Sequence, residues 1–251
     1  MNGMRLLGLL TLCAAAASAA DCDRACLKNM MTTYLNALVA QDPSKAPIAS
    51  NVRFTEDSKD LNVGEGFWKT ATKVGDYRQD FIDVKEQVVA SHVTVEESGK
   101  RALYTVRLKV AGGKISEIET LVTHGGERTA GGANLVVRPD MGVEPPAAQK
   151  NSREELIRAA DYYPRGLTAG GFDKVDAPFA KDAFRIENGF VMAGAGCGRG
   201  TPSGGPAKGP ANDKGGVNAK APQDVAGCLD IKTQRIIAHP DLTKSVVAVD
   251  E

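Results

Sequence analysis

Along the first part of the chain, apolar residues recur in a helical rhythm: Leu27, Met31, Tyr34 and Leu38 fall at i, i+4, i+7 and i+11. That spacing draws one apolar stripe down a helix from about Asp23 to Ala40. Asp42-Pro43 ends it, because a residue before proline avoids helical dihedrals. Val52 to Asp57 then reads as a short strand, and Gly64-Glu65-Gly66 as a turn before a brief helix carrying Phe67 and Trp68. From Tyr77 to His124 the rhythm changes to two. Tyr104, Val106, Leu108 and Val110 alternate with Thr105, Arg107 and Lys109, the mark of a half-buried strand. Gly112-Gly113 supplies a tight hairpin turn, and Ile115 to His124 returns as the partner strand. Helix, short strand, helix and a long antiparallel meander predict an α+β arrangement, a helix lying in a curved antiparallel sheet.

Residues 126–151 are rich in Gly, Pro and small polar types and read as a linker. Beyond it the opening pattern returns: Leu156, Ala160, Tyr163 and Leu167 stand at a constant offset of 129 from the first stripe. Arg185-Ile186 and Glu187-Asn188 then echo Arg53-Phe54 and Glu56-Asp57. Repeated order predicts a tandem duplication of domain 21–125 as domain 152–251. The second copy departs from the first. Pro164 is expected to kink or shorten its helix, and a Gly, Pro, Lys and Asn tract at 193–221 reads as a flexible insert. Only Ile236 to Val249 remains with strand character after that tract, so the second copy lacks closing strands. The cluster Gly196-Cys197-Gly198-Arg199-Gly200 matches neither glycine-rich phosphate-loop pattern and reads as flexibility.

The first twenty residues change the picture of where the protein works. Arg5, an apolar run from Leu6 to Ala17 and the small residues Ser18, Ala19 and Ala20 follow the order of a secretory signal peptide. The run is shorter than the roughly 20 apolar residues a membrane anchor needs. Cleavage after Ala19 or Ala20 is expected, with a secreted or periplasmic location. The mature part keeps Cys22, Cys26, Cys197 and Cys228, and an even count in an exported chain predicts two disulfides. Cys197–Cys228 would close the flexible insert, and Cys22–Cys26 would pair at the helix start. Their C-x3-C and C-x30-C spacing is no zinc-finger pattern, so no metal is expected. With 31 basic and 31 acidic residues, the chain has no charge bias toward nucleic acid.

Helix Tyr34 to Asp42, strand Val52-Arg53-Phe54-Thr55-Glu56-Asp57 and the paired strands Leu103 to Val110 and Ile115 to His124 resemble the SnoaL-like / nuclear-transport-factor-2-like superfamily. Within it, the helix resembles the first helix of bacterial ketosteroid isomerases. The tandem arrangement with its cysteines and Arg185-Ile186-Glu187-Asn188-Gly189 is similar to a family of secreted proteins of fungi and bacteria. The resemblance implies a cone-shaped α+β fold with a pocket between helix and sheet, and members that range from isomerases, cyclases, lyases and epoxide hydrolases to binding modules. It implies for Tyr34 the role of a hydrogen-bond donor to a developing oxyanion. Glu56 and Asp57 match the region of the base. The motif match favours Asp57, whereas strand phase puts Glu56 on the face of Val52 and Phe54 and turns Asp57 away. We take Glu56 as the base and Asp57 as a substrate contact. The isomerases' protonated aspartate falls near Tyr104-Thr105, where this sequence has no acid.

His124 ends its strand on the face of Ile118 and Val122, and histidine suits proton transfer near neutral pH. Trp68 and Tyr104 are candidates to line the pocket. His92 and His239 have no evident partners, and no Ser-His-Asp order emerges. The expected activity is cofactor-free acid-base chemistry of the isomerase, lyase or hydrolase type on a small apolar molecule, with Tyr34, Glu56 and His124 catalytic. Counted in strand phase from Arg185-Ile186, Asn188 rather than Glu187 stands where the first copy has Glu56, so the first copy carries the base. The competing class is a non-catalytic module binding a ligand or a protein, with a homodimer as one form.

Overall fold

The computed structural model describes residues 21–124, 135, 137, 143, 145–180, 183, 185–187, 190–193, 199–200 and 205–206. The expected signal peptide, the Cys197–Cys228 pair, Asn188, His239 and the strand-like segment 236–249 lie outside the described residues.

Helix α1 runs Arg24–Val39, one residue inside the predicted limits at each end. Asp23 caps it by accepting the Cys26 N–H at 2.7 Å, which satisfies one of the orphan donors of the first turn. Leu27, Met31, Tyr34 and Leu38 have no exposed surface, so the stripe read from the sequence is the buried face. Cys22 and Cys26 are joined as a disulfide at the helix start. The Gln87 side chain fixes this end to the sheet, accepting from Cys22 N at 2.6 Å and donating to Cys22 O at 2.8 Å.

Six strands form one sheet: β1 (Ile48–Glu56), β2 (Lys59–Asp60), β3 (Ala71–Asp83), β4 (Val88–Glu97), β5 (Lys100–Ala111) and β6 (Lys114–His124). Their order is β2-β1-β6-β5-β4-β3. The β3 to β6 meander is antiparallel as predicted, and Gly112 and Gly113 take φ of 57° and 73° at its β5–β6 turn. One pairing corrects the expected all-antiparallel sheet: β1 joins β6 in parallel, with Phe54 opposite Ile118 and Glu56 opposite Thr120. The reason is connection length, since a parallel pair needs a long crossover and here the whole meander supplies it. The sheet is therefore mixed and open, and bulges in β1, β3 and at the β5–β6 pairing bend it. Helix α1 packs on β3 and β4. Val89, Ser91, Val93 and Val95 of β4, with Tyr104, Val106 and Leu108 of β5, form the buried face. The fold class is α+β.

In the second half, α2 spans Arg153–Ala169. A reciprocal capping box of Ser152 and Glu155 starts it, and Gly170 at φ 78° closes it. Pro164 does not shorten the helix as expected. Its missing N–H removes one bond of a 17-residue ladder, and the helix continues to Ala169. A short 3-10 turn (Phe172–Lys174) and strands β7 (Arg185–Glu187) and β8 (Phe190–Ala193) follow. Within the Gly-rich tract, β9 (Arg199–Gly200) and β10 (Gly205–Pro206) pair as a minimal antiparallel ladder. Buried Phe172 and Ala177 gather Tyr162, Tyr163 and Leu167 into a small second cluster. Arg153 reaches back to the β3–β4 turn, holding both oxygens of Asp83 at 3.1 and 2.5 Å.

Candidate functional site

Four stretches converge at one end of the sheet: the end of β1, the 3-10 turn Gly66–Lys69, the end of β4 and the end of β6. Glu56 closes β1 with a half-buried side chain. Both of its carboxylate oxygens accept the Phe67 N–H, at 3.2 and 3.0 Å. Gly66, at φ +60°, lies so close that a Cβ there would sit 2.8 Å from the Glu56 Cδ. Burial raises the Glu56 carboxyl above its ordinary value; the Phe67 N–H opposes this, the charges of Asp57 and Glu97 add to it, and His124 opposes it.

Behind this carboxylate lies an aromatic floor. Tyr34 of α1 and Tyr104 of β5 share a hydrogen bond of 2.8 Å between their hydroxyls, and neither has exposed surface. Burial pushes both phenols well above their ordinary range. Trp68 meets Tyr34 edge-on at 5.4 Å, and Phe67 stacks on Tyr104 at 5.0 Å. The indole Nε1 of Trp68 is buried without a hydrogen-bond partner among the described residues. Tyr34, Trp68 and Tyr104 thus belong to the packed core, with the hydroxyls satisfying one another.

At the rim, His124 places Nε2 2.8 Å from Oε2 of Glu97. The other carboxylate oxygen, Oε1, accepts from Thr70 Oγ1 at 2.5 Å. The His124 side chain is 63% exposed, against 21% for Glu97, so the ring stands at the surface and its carboxylate partner does not. The Phe67 ring lies edge-on to His124 at 6.4 Å.

The structure therefore brings Glu56 and His124 to the same end of the sheet, in front of Tyr34, Trp68 and Tyr104. Asp57 is set apart. It and Ser58 take φ of 49° and 66° in the β1–β2 turn, and the Asp57 carboxylate accepts the Val122 N–H at 3.1 Å. His92 pairs with Thr105 across the sheet, outside the Tyr104 face, and stacks edge-on with Tyr77 at 5.8 Å.

Sequence reasoning missed Glu97, Thr70 and Gly66. A signal for Glu97 was present: Val89, Ser91, Val93, Val95 and Glu97 share one strand phase, the argument that selected Glu56. Register finishes the placement, because Val95 pairs with Ala102 and Ala102 with His124. Among the described residues, no group of three His, Cys, Asp or Glu could hold a metal ion, and no helix is long and apolar enough to cross a membrane.

Several solved structures are similar in fold. AclR of Streptomyces galilaeus, a proposed hydroxylase, is 15% identical with a TM-score of 0.34, over 41% of this chain and 81% of that one. An NTF2-like protein of unknown function from Cytophaga hutchinsonii is 13% identical with a TM-score of 0.32, over 38% and 88%. An LEH-like epoxide hydrolase of M. tuberculosis is 14% identical with a TM-score of 0.30, over 39% and 83%. No curated protein matches the chain. The model of a domain family of unknown function, DUF8021, matches residues 20–122 and 149–222, so the chain belongs to the DUF8021 family.

Proposed function

We propose that this is an exported protein that binds a small apolar molecule at the Glu56 end of its sheet and moves a proton on it without a cofactor. Glu56 is the observation that carries the reading. Its carboxylate is half-buried, oriented by one backbone N–H and raised above its ordinary value by burial. A carboxyl so placed takes a proton more readily than a solvated one. Phe67 offers an apolar ring beside it, and His124 supplies a second titratable group at the rim. Isomerisation, elimination and hydrolysis all need such a group.

One observation favours a second reading, a non-catalytic binding module. The Tyr34 and Tyr104 hydroxyls are committed to each other in the dry core, where they brace the fold. The two readings separate on one substitution. Native mass spectrometry of the exported protein identifies the co-purified ligand, and turnover of that ligand is then compared in wild type and Glu56→Gln. The enzyme reading expects a loss of about 10²-fold or more with binding retained. Absent turnover in the wild type with retained binding establishes the module, whereas turnover unchanged by Glu56→Gln places the base elsewhere. Tandem duplication forms part of the proposal: helix, 3-10 turn and strand recur in order from α2 to β7. The first copy carries the activity, so Glu187→Gln leaves turnover unchanged.

A further inference from the structure

One strand grips Glu56 from both sides. In the parallel ladder its partner on β6 is Thr120. The Thr120 hydroxyl donates to the Thr55 carbonyl at 3.0 Å, and the Thr120 carbonyl accepts the Asp57 N–H at 3.0 Å. The peptide units before and after Glu56 are thus tied to the same residue. Thr55 and Thr120 are both buried, so the hydroxyl's bond forms away from water, where it is stronger. On its other edge β1 meets the two-residue strand β2, so β6 is the firmer support.

Beyond Glu56 the chain leaves the ladder. Asp57 and Ser58 turn with φ of 49° and 66°. A parallel strand that continued would offer the Asp57 carbonyl to the Val122 N–H. The Asp57 carboxylate takes that place, accepting the Val122 N–H through Oδ1 at 3.1 Å. Aspartate suits the position, because it tolerates a left-handed backbone and bonds locally through a short side chain.

We propose that Asp57 and Thr120 are positioning residues, which together fix the end of β1 so that the Glu56 carboxylate meets the Phe67 N–H. Asp57, expected from the sequence as a substrate contact, acts in this arrangement through Glu56. That Glu56 serves as a base is the reading given above; the clamp itself is read without any ligand.

The Phe67 amide proton reports on the contact, because an N–H bonded to a carboxylate shifts when that carboxylate takes up a proton. NMR follows it across the Glu56 titration in the exported protein. Thr120→Val keeps the shape of the side chain and removes the hydroxyl, whereas Thr120→Ser keeps the hydroxyl. Asp57→Gly accepts the left-handed backbone but has no side-chain acceptor, whereas Asp57→Asn keeps an oxygen for Val122. Asp57, Glu97 and His124 all act on the Glu56 charge, so a lower midpoint in Asp57→Asn reflects charge and the amplitude is the measure. The expected result is a Phe67 response that loses most of its amplitude in Thr120→Val and in Asp57→Gly. It stays at the wild-type amplitude in Thr120→Ser and Asp57→Asn. Unchanged amide spectra of β3 to β5 verify that each variant is folded. Should Thr120→Val not fold, the Asp57 pair decides, since Asp57 stands at an exposed turn.

A full-amplitude response in Asp57→Gly or in Thr120→Val, or one lost equally in Asp57→Asn and Thr120→Ser, would overturn the proposal. So would a wild-type Phe67 that does not follow Glu56. Turnover in Glu56→Gln is a separate measurement: with no loss there and the clamp variants as expected, the base reading falls and the clamp stands.

Discussion

Gly66 stands against Glu56 with no room for a side chain between them. A Cβ at Gly66 would overlap the Glu56 carboxylate, and its φ of +60° is a conformation that L residues adopt only under strain. Gly66→Ala should therefore act twice. It should destabilise the fold by about 1–2 kcal/mol through the left-handed backbone. It should also push the carboxylate from its place and return its titration toward that of an ordinary glutamate. Carboxyl ¹³C titration checks the second effect, and an unmoved Glu56 in Gly66→Ala would show that the contact does not hold it.

The raised Glu56 carboxyl also links folding to pH. A carboxyl titrating higher in the folded state than in the unfolded chain favours folding while it is protonated. That contribution is present below the unfolded value, near 4.5, and is lost as pH rises through the folded one. Glu56→Gln stays neutral throughout and keeps an oxygen for the Phe67 N–H. Relative to wild type, the variant should gain stability between pH 4 and pH 7. Urea denaturation at both pH values reads the difference; a variant that loses stability over this interval contradicts the burial argument.

Tyr34 and Tyr104 should behave as one unit. Removing either hydroxyl strands the other in the core, at a cost of about 1–3 kcal/mol. Tyr34→Phe with Tyr104→Phe removes both polar groups together, so the double variant should cost clearly less than the two singles combined. Strict additivity in a double-mutant cycle would mean that the 2.8 Å contact contributes nothing.

Arg153 and Asp83 make a fourth test, of how α2 is tied to the first half. Burial alone would raise the Asp83 carboxyl, but hydrogen bonds and charge from Arg153 outweigh it and hold it low. A lowered carboxyl stabilises the fold above its unfolded value, near 3.8, and that stability is lost as pH falls through the folded one. Arg153→Ala should cost about 1–3 kcal/mol at pH 7 and little near pH 2. Hydrogen exchange should show α2 losing protection ahead of the sheet. A cost that is the same at both pH values would assign the loss to packing instead.

Local chemistry was legible in the sequence, and long-range pairing was not. The stripe of Leu27, Met31, Tyr34 and Leu38 fixed the buried face of α1 because helix geometry alone puts those positions together. Strand phase separated Glu56 from Asp57 for the same reason. The parallel partnership of β1 with β6 joins residues more than sixty positions apart, and no local pattern encodes it. Tyr34 drew attention through a resemblance, yet its hydroxyl partner, Tyr104, is set by packing across the interior. Glu97 escaped because a Glu-Glu-Ser-Gly stretch has the composition of an exposed hairpin end. Pro164 did not shorten α2, which runs on to Ala169 between a capping box and the Gly170 closure that local sequence reading had not weighed.

The pairing of β1 with β6 has a kinetic meaning. The hairpins from β3 to β6 join neighbours in sequence and can form early, whereas β1 must wait for the strand at the far end of the domain. Glu56 rides on that late-arriving strand. A ribosome must therefore deliver the chain through His124 before the carboxylate has a place to go. The same order run backwards makes the β1 edge a natural first breach when the protein is warmed, with the meander still intact. Competence would then vanish at a lower temperature than the bulk of the fold, and the strand that carries the acid would be the fuse.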